Sequence, residues 1–291
     1  MWGLSERFAR GLGVVGCGVF LVAASVTPSE AEGKADGFFR FGEVTVEVAH
    51  AYLFRVDTGQ DEPKAFVFMT SVPVDATAAA AEFDVDDAVQ TQVSDAGGGF
   101  IRLCLYAEGD ECGLYFSNEE PSESFNTSGS GDFVLAKNEP DHVEGSFVLA
   151  EPEEFFDKTF QFELHFSADL APAPASEALA EGGGAPGAAY IEYITAIADA
   201  DFPKLREILG EAGSWQFPED DPASCKEQLK WMRDGTPVTA TISRGEQRGD
   251  LAILFVDGVD RDEIRRRGRV LMTRNGDAWS YETSDLESVE D

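Results

Sequence analysis

The sequence is poor in basic residues, with 22 lysines and arginines against 55 aspartates and glutamates and a net charge of −33. Phosphate backbones and anionic lipid surfaces repel so acidic a chain, which excludes general nucleic-acid binding and electrostatic docking on a membrane. The net negative charge is compatible with a cationic partner or with weak calcium binding. We favour a simpler interpretation, solubility in a salty exterior, because the acidic stretches 84–87 and 199–201 lack the ligand spacing and turn glycine of calcium loops.

Histidine is scarce, and the common signatures of catalysis are missing. The three histidines, His50, His142 and His165, form no local pair with the spacing of a zinc site. Residues 128–131 do not make the G-x-S-x-G pattern of a nucleophile elbow, and the glycines at 97–99 precede no helix that could present amides to a phosphate. We therefore assign no catalytic residue, no metal site and no cofactor.

Charge is absent from residues 11–26, an apolar run that follows two arginines and precedes small residues at positions 29 and 31. This pattern predicts a secretory signal peptide over residues 1–31. The run is shorter than the ~20 residues that span a bilayer, so we expect no membrane span after cleavage. The predicted location is periplasmic or secreted, and a lipobox-like stretch ending at Cys17 makes a lipid anchor the alternative.

Cysteines are few, but two of them flank a predicted hairpin between residues 100 and 116. A register that sets Cys104 opposite Cys112 also sets Phe100 opposite Phe116, a favourable cross-strand pair. Directly opposed residues lie close enough for a disulfide, which an oxidising compartment forms. We predict a Cys104–Cys112 disulfide, because a redox or zinc site would need other spacing and further ligands.

Residues 32–170 contain many short strand patterns bounded by glycine, proline and aspartate. In the last of them Phe160, Phe162, Leu164 and Phe166 alternate with polar residues, as expected for a sheet with one buried face. Only residues 76–82 show a brief helical pattern. These features predict an all-β domain, sandwich-like or an open barrel.

Residues 171–187 are rich in alanine and proline and then in glycine, and no apolar period crosses them. Such a composition predicts a linker that is semi-rigid in its first half and flexible in its second. At the other end of the chain, residues 284–291 form an acidic tail that we expect to fray.

Residues 188–283 change from helical to strand patterns. Asp201 and Asp221 are predicted N-caps of the second and third helices, and Gly210 is the predicted end of the second. Cys225 lies on an apolar helix face, which favours a buried small side chain over a nucleophile. Asn275 and Gly276 then mark a hairpin. The order predicts an α+β cone-like domain with a curved antiparallel sheet.

Three stretches, YIEYITAIADADFPKLREIL at 190–209, LAILFVDG at 251–258 and RVLMTRNGDAWSYE at 269–282, follow the helices-then-meander order. In this the second domain resembles the ketosteroid-isomerase-like, or nuclear transport factor two-like, superfamily. The resemblance implies a bent sheet wrapped around helices to make a conical pocket. Members include isomerases, cyclases and dehydratases as well as non-catalytic domains of secreted bacterial proteins. No catalytic position of the family aligns with this chain, and the first domain resembles secreted bacterial domains of unknown function.

The basic residues cluster in one place, where they could bind an anion or an acidic partner. Neighbouring acids at 257, 260, 262 and 263 neutralise much of the charge, so we favour a solvated, salt-bridged loop. The cluster consists of Arg261, Arg265, Arg266, Arg267 and Arg269.

Aromatic residues of the second domain could line a pocket, although such spacing is more typical of a core. They are Tyr190, Tyr193, Trp215, Phe217 and Trp231. Asp199 and Asp201 are most simply helix caps. No acid stands out at an inward position, since Asp250 flanks a turn and Glu282 trails the last strand.

The leading functional hypothesis is an exported, non-catalytic binding or interaction module of the bacterial cell envelope, with an unknown protein or small molecule as its ligand. The alternative is an enzyme of the isomerase, dehydratase or hydrolase type that uses a pocket in the C-terminal domain. Adhesion or assembly, with the linker as a spacer, is a third possibility.

Overall fold

The computed structural model of the protein describes residues 33–59 and 63–289, with only the backbone for 211–214. The predicted signal peptide, 1–31, and Cys17 lie outside these ranges. The fold is mostly β, with 50% of residues in strands and 24% in helices. Its strands form two antiparallel sheets, one of ten strands and one of five.

The first sheet is one continuous, curled surface in the order β7-β6-β5-β4-β3-β1-β10-β9-β8, with β2 paired to β1. Of the two predicted forms, a sheet that curls on itself agrees with the open barrel and not with a sandwich of two stacked sheets. Its strands are β1 (Gly33–Phe41), β2 (Val44–Glu47), β3 (His50–Val56), β4 (Lys64–Thr70), β5 (Gly99–Leu105), β6 (Glu111–Asn118), β7 (Glu123–Thr127), β8 (Asp132–Glu139), β9 (His142–Phe155) and β10 (Lys158–Asp169).

Phenylalanines fill the concave side of this sheet and hold its curl. Phe39 stacks on Phe116 at 4.8 Å and on Phe162 at 5.4 Å between ring centroids. The alternation predicted along β10 is confirmed, since Phe160, Phe162, Leu164 and Phe166 are all buried there. Strands from both ends of the sheet thus share one aromatic core.

Two helices, α1 (Ala76–Ala81) and α2 (Val85–Asp95), cover part of the convex side. The first was predicted and the second was not. Asp84 caps α2 by accepting a hydrogen bond from the amide of Asp87, and its valines face the sheet. The β-branched and acidic residues of α2 have low helix propensity, so packing stabilises it more than its composition does.

The predicted disulfide is present, but the predicted register is wrong by one residue. Cys104 pairs with Gly113 across the strands, and a bulge places Cys112 beside it with the Cα atoms of the two cysteines 5.1 Å apart. As a result Phe100 faces Ser117, not Phe116. The extra residue of a bulge cannot be read from hydrophobic alternation.

The stretch 171–187 is more ordered than the predicted linker. Residues 177–178 form strand β11 (Glu177–Ala178), and helix α3 begins at Gly184. A Cβ at Gly187 would clash with the carbonyl oxygen of Gly182, so glycine here allows close packing and does not confer flexibility.

The second sheet follows the order β11-β12-β13-β14-β15, with three helices against one of its faces. The capping predictions are confirmed: Asp221 accepts hydrogen bonds from two amides of α5, and Asp201 accepts one from the amide of Lys204. Gly210 interrupts α4 with a positive φ. The remaining elements are α3 (Gly184–Asp199), α4 (Phe202–Gln216), α5 (Pro222–Arg233), β12 (Thr239–Arg248), β13 (Leu251–Val259), β14 (Arg265–Asn275) and β15 (Ala278–Ser288).

The predicted hairpin joins β14 to β15, but its loop is Gly276-Asp277, since Asn275 already pairs with Ala278. Gly276 supplies the positive φ, +65°, that starts the turn. Strand β15 continues to Ser288, so most of the predicted acidic tail belongs to the sheet. Within the described ranges, no helix is long and apolar enough to cross a membrane.

Candidate functional site

A groove separates the convex side of the first sheet from the helix-free face of the second. Side chains alternate along β13, so Ile253 and Phe255 point away from the helices. Phe83, in the connection between α1 and α2, packs against both of them. The two sheets therefore meet through one apolar contact, and the groove extends to either side of it.

Arginines of the second sheet bridge the groove to the first. Arg244 forms an ion pair with Asp57, and Arg248 donates a 2.9 Å hydrogen bond to the carbonyl oxygen of Ala80. Arg269 donates to the carbonyl oxygen of Phe83 at 3.3 Å. The guanidinium of Arg248 also lies over the Phe83 ring, 4.4 Å from its centroid. These contacts place three cations along the groove of a strongly acidic protein.

One end of the groove is a largely apolar cavity of about 300 Å³. Strand β3, the α1–α2 connection and strand β13 supply its apolar walls. The larger apolar lining residues include Phe54, Val56, Phe83, Val85, Ile253 and Phe255, and the charged lining residues are Arg55, Arg248, Arg269, Asp57, Glu82 and Glu246.

The other end is a polar cavity of about 580 Å³ beside the disulfide. Arg102 of β5 enters it between the rings of Phe66 and Tyr115, whose centroids lie 5.2 and 5.3 Å from the guanidinium carbon. One nitrogen of Arg102 binds the carboxylate of Asp86 on α2. Lys64 lines the same cavity. Flanking rings fix the guanidinium in place, so that little ordering remains when a ligand binds.

The two ends are connected. A middle cavity of about 240 Å³ shares Phe83, Ile253 and Arg269 with the apolar end. It shares Asp86, Arg269 and Asp285 with the polar end. The groove as a whole is therefore amphipathic along its length, apolar at Phe54 and polar at Arg102.

Unpartnered polar atoms converge on this groove. Across the part of the chain that the structure describes, four buried side-chain polar atoms have no hydrogen-bond partner. Three of them belong to residues of the groove: Oγ1 of Thr58, Nε of Arg102 and Nε of Arg248. The fourth is Oε1 of Glu111. Buried polar groups in folded proteins are almost always paired, so three unpaired atoms in residues of one groove distinguish this region from the rest of the described residues.

Burial also changes the acid–base properties of the groove. Burial raises the pKa of the Asp86 carboxyl, although the neighbouring Arg102 opposes this shift. Burial lowers the pKa of the Arg248 guanidinium.

The predicted arginine cluster divides between two roles. Arg265 and Arg267 bind the carboxylate of Asp257, and Arg266 binds Asp260 at 2.8 Å. The predicted salt bridges are confirmed, but the predicted loop is wrong, because Arg265, Arg266 and Arg267 belong to strand β14. Arg269 lies on the same face of β14 as Arg265 and Arg267 but further along the strand, where it pairs with Phe255 and lines the groove. Arg261 lies at the surface near the C-terminal end of α5.

The predicted aromatic set is only partly brought together. Tyr190 and Phe217 are in the core, and Trp215 is exposed. Tyr193 and Trp231 line a separate pocket between the helices and strands β14 and β15. Here Tyr193 stacks on Tyr281, with 4.2 Å between ring centroids.

This second pocket holds no buried acid. Its acidic lining residues, Asp234 and Glu282, are both exposed. Burial raises the pKa of the Tyr190 and Tyr193 hydroxyls, so both stay protonated. A general base with a raised pKa, which the enzyme hypothesis needs, is not found among the described residues that line it.

The histidines are dispersed. His142 lies 2.7 Å from Asp169, and His165 lies 3.4 Å from Glu163, each pair at the sheet surface. Among residues 33–59 and 63–289, no three His, Cys, Asp or Glu side chains are grouped so as to hold a metal ion. Cys225 is buried and its Sγ lies 3.2 Å from the carbonyl oxygen of Pro218, consistent with a core position.

Sequence reasoning missed Phe83, Arg102 and Arg248 as site residues. Arg102 alone carried a signal, since a cation interrupts the otherwise apolar strand 100–105. The other two become site residues only when the sheets face each other. No protein-family model matches the chain, and neither a curated protein nor a solved structure matches it.

Proposed function

We propose that this protein is an exported, non-catalytic binding protein of the bacterial cell envelope, and that the groove between its sheets holds a molecule with an apolar body and an anionic head. The observation that carries the proposal is a single groove that is apolar at one end and, at the other, contains the guanidinium of Arg102 held against two aromatic rings. Pockets that bind small molecules are typically apolar, with a few polar groups that fix orientation, and they favour interfaces between structural units.

The distribution of charged and apolar side chains indicates where the anionic head and the apolar body of the ligand would lie. An anionic head would lie near Arg102 and Lys64, the two cations that line the polar cavity together with Arg269. An alkyl or ring body would lie toward Phe54, Phe83 and Phe255. A charge-assisted hydrogen bond at a fixed guanidinium supplies orientation, and burial of apolar surface supplies affinity.

Export and the division into two domains belong to the same proposal. A disulfide and the absence of a membrane-spanning helix among the described residues are compatible with export. Three helices on one face of a five-stranded antiparallel sheet support the proposed ketosteroid-isomerase-like second domain.

A calorimetric titration of the protein with dodecanoate tests the site by measuring the binding affinity. We expect binding by the wild-type protein and about tenfold weaker binding by Arg102→Gln, which corresponds to one lost charge-assisted hydrogen bond. Dodecanol, with the same body and no charge, should bind more weakly than dodecanoate to the wild type and equally to both proteins.

Arg40→Gln is the matched control. Arg40 is exposed, donates a hydrogen bond to Thr45 of strand β2 in the first sheet, and lines none of the three cavities of the groove. It should leave the affinity unchanged. Equal loss in both variants would mean that bulk charge, and not the groove, attracts the ligand. An unaltered affinity in Arg102→Gln, with the fold intact by circular dichroism, would refute the assignment of the head.

A further inference from the structure

A second cavity lies on the opposite face of the five-stranded sheet from the groove. Helices α4 and α5 form one wall, and strands β14 and β15 form the other. Its volume is about 650 Å³, the largest of the cavities described here. It is open to solvent at the edge where Trp231 projects from α5.

The lining of this cavity is polar but without cations. Hydroxyl and amide side chains dominate it, and none of its lining residues is a lysine, arginine or histidine. Two exposed acids, Asp234 and Glu282, give it negative charge. An anionic ligand would be repelled, whereas a neutral molecule rich in hydroxyls could exchange hydrogen bonds with many of these groups. The hydroxyl and amide residues are Gln216, Thr236, Thr273, Asn275, Ser280 and Ser284.

Aromatic rings supply the apolar part of the cavity lining. Trp231 is 70% exposed although it lines the cavity. Tyr281 is held against Tyr193 by ring stacking at 4.2 Å and against Ser284 by a 3.0 Å hydrogen bond. An exposed tryptophan leaves a large apolar surface in water, and a flat ligand face that covers it gains the corresponding free energy.

We propose that this cavity is a carbohydrate-binding site for neutral sugars. A pyranose ring has apolar C–H faces that suit an exposed indole, and hydroxyls around its edge that suit amides, hydroxyls and carboxylates. An entirely apolar ligand would displace water from the polar lining without hydrogen bonding to it, and an acidic sugar would meet Asp234 and Glu282. The proposal is independent of the groove and does not need it to bind anything.

Affinity electrophoresis through gels that contain a neutral polysaccharide tests this directly. The probes are hydroxyethyl cellulose, glucomannan and soluble starch, with polygalacturonate as the charged counterpart. We expect at least one neutral gel to retard the wild-type protein and polygalacturonate to have no such effect. Trp231→Ala should lower the affinity at least about tenfold, as for a central aromatic anchor, and Trp231→Phe should restore part of it.

Trp215→Ala is the matched control, because Trp215 is 82% exposed and does not line the cavity. It should be retarded like the wild type. Both tryptophans are exposed, so neither substitution threatens the fold. No retardation in any neutral gel, equal retardation of wild type and Trp231→Ala, or stronger retardation by polygalacturonate would each overturn the proposal. Arg102→Gln should behave as wild type in these gels, which separates this site from the groove.

Discussion

Asp260 fixes the turn between β13 and β14 through three hydrogen bonds to one buried carboxylate. The amides of Asp262 and Ile264 donate at 2.9 and 3.0 Å, and Nε of Arg266 donates at 2.8 Å. Asp260 is only 4% exposed, so its charge depends on these donors. Burial by itself raises the pKa of this carboxyl, but the hydrogen bonds from Arg266 and the two amides outweigh it, and the pKa is lowered overall.

We expect Asp260→Asn to lower the free energy of unfolding at pH 7 by about 3 kcal/mol, because it leaves Arg266 without its buried partner. The folded-state pKa is lower than the unfolded value of 3.8. The stabilisation is therefore complete above that value and is lost as the pH falls through the folded-state pKa. In urea titrations, the difference from wild type should be smaller at pH 3 than at pH 7.

Asp262→Asn removes the same charge from an exposed neighbour and should change stability by a few tenths of a kcal/mol at either pH. A pH-independent deficit in Asp260→Asn would show that shape, and not ionisation, explains the role of the residue.

At the scale of elements, local signals predicted most of the fold and tertiary contacts decided the rest. The cap at Asp221, the alternation along β10 and the hairpin at Gly276 depend on neighbours in sequence, and all three are present. Helix α2 is absent from the prediction because its stability comes from contacts with Phe68 and Phe100. The groove could not be predicted, since its residues come from both sheets.

The disulfide closes a short loop between β5 and β6, since Cys104 and Cys112 are eight positions apart in the sequence. Loop-closure entropy predicts a contribution of about 2.5 kcal/mol for so small a ring. We expect Cys104→Ser/Cys112→Ser to lower the free energy of unfolding by that amount in guanidinium titrations. A reductant should reproduce the loss in wild type and have no effect on the double variant.

Cys225→Ala is the control for this measurement, because Cys225 is free and lies in the other part of the molecule. Its response to reductant should equal that of wild type. A double variant as stable as wild type would mean that strand pairing alone holds the hairpin.

At the scale of the whole molecule, Phe83 joins the two sheets. It is buried against Ile253 and Phe255 and covered by Arg248. We expect wild type to unfold in one calorimetric transition and Phe83→Ala to unfold in two, with about 3 kcal/mol lost from the contact. The less stable sheet should then melt first.

Phe156→Ala serves as the control, since Phe156 is almost fully exposed at the tip of the β9–β10 hairpin. It should leave the single transition in place. One lowered transition in Phe83→Ala, without splitting, would show that the two sheets form an indivisible cooperative unit.

Because β11 and the glycines after it pack into the second sheet, the covalent connection between the sheets shortens to residues 172–176. Five extended residues reach roughly 17 Å. A tether of this length keeps the two halves at millimolar effective concentration, so ion pairs that would be negligible between separate molecules suffice to hold them together. A single proteolytic cut in this tether would make the association of the two halves bimolecular and therefore dependent on concentration. At micromolar concentration the halves would dissociate, and the groove between them would be lost.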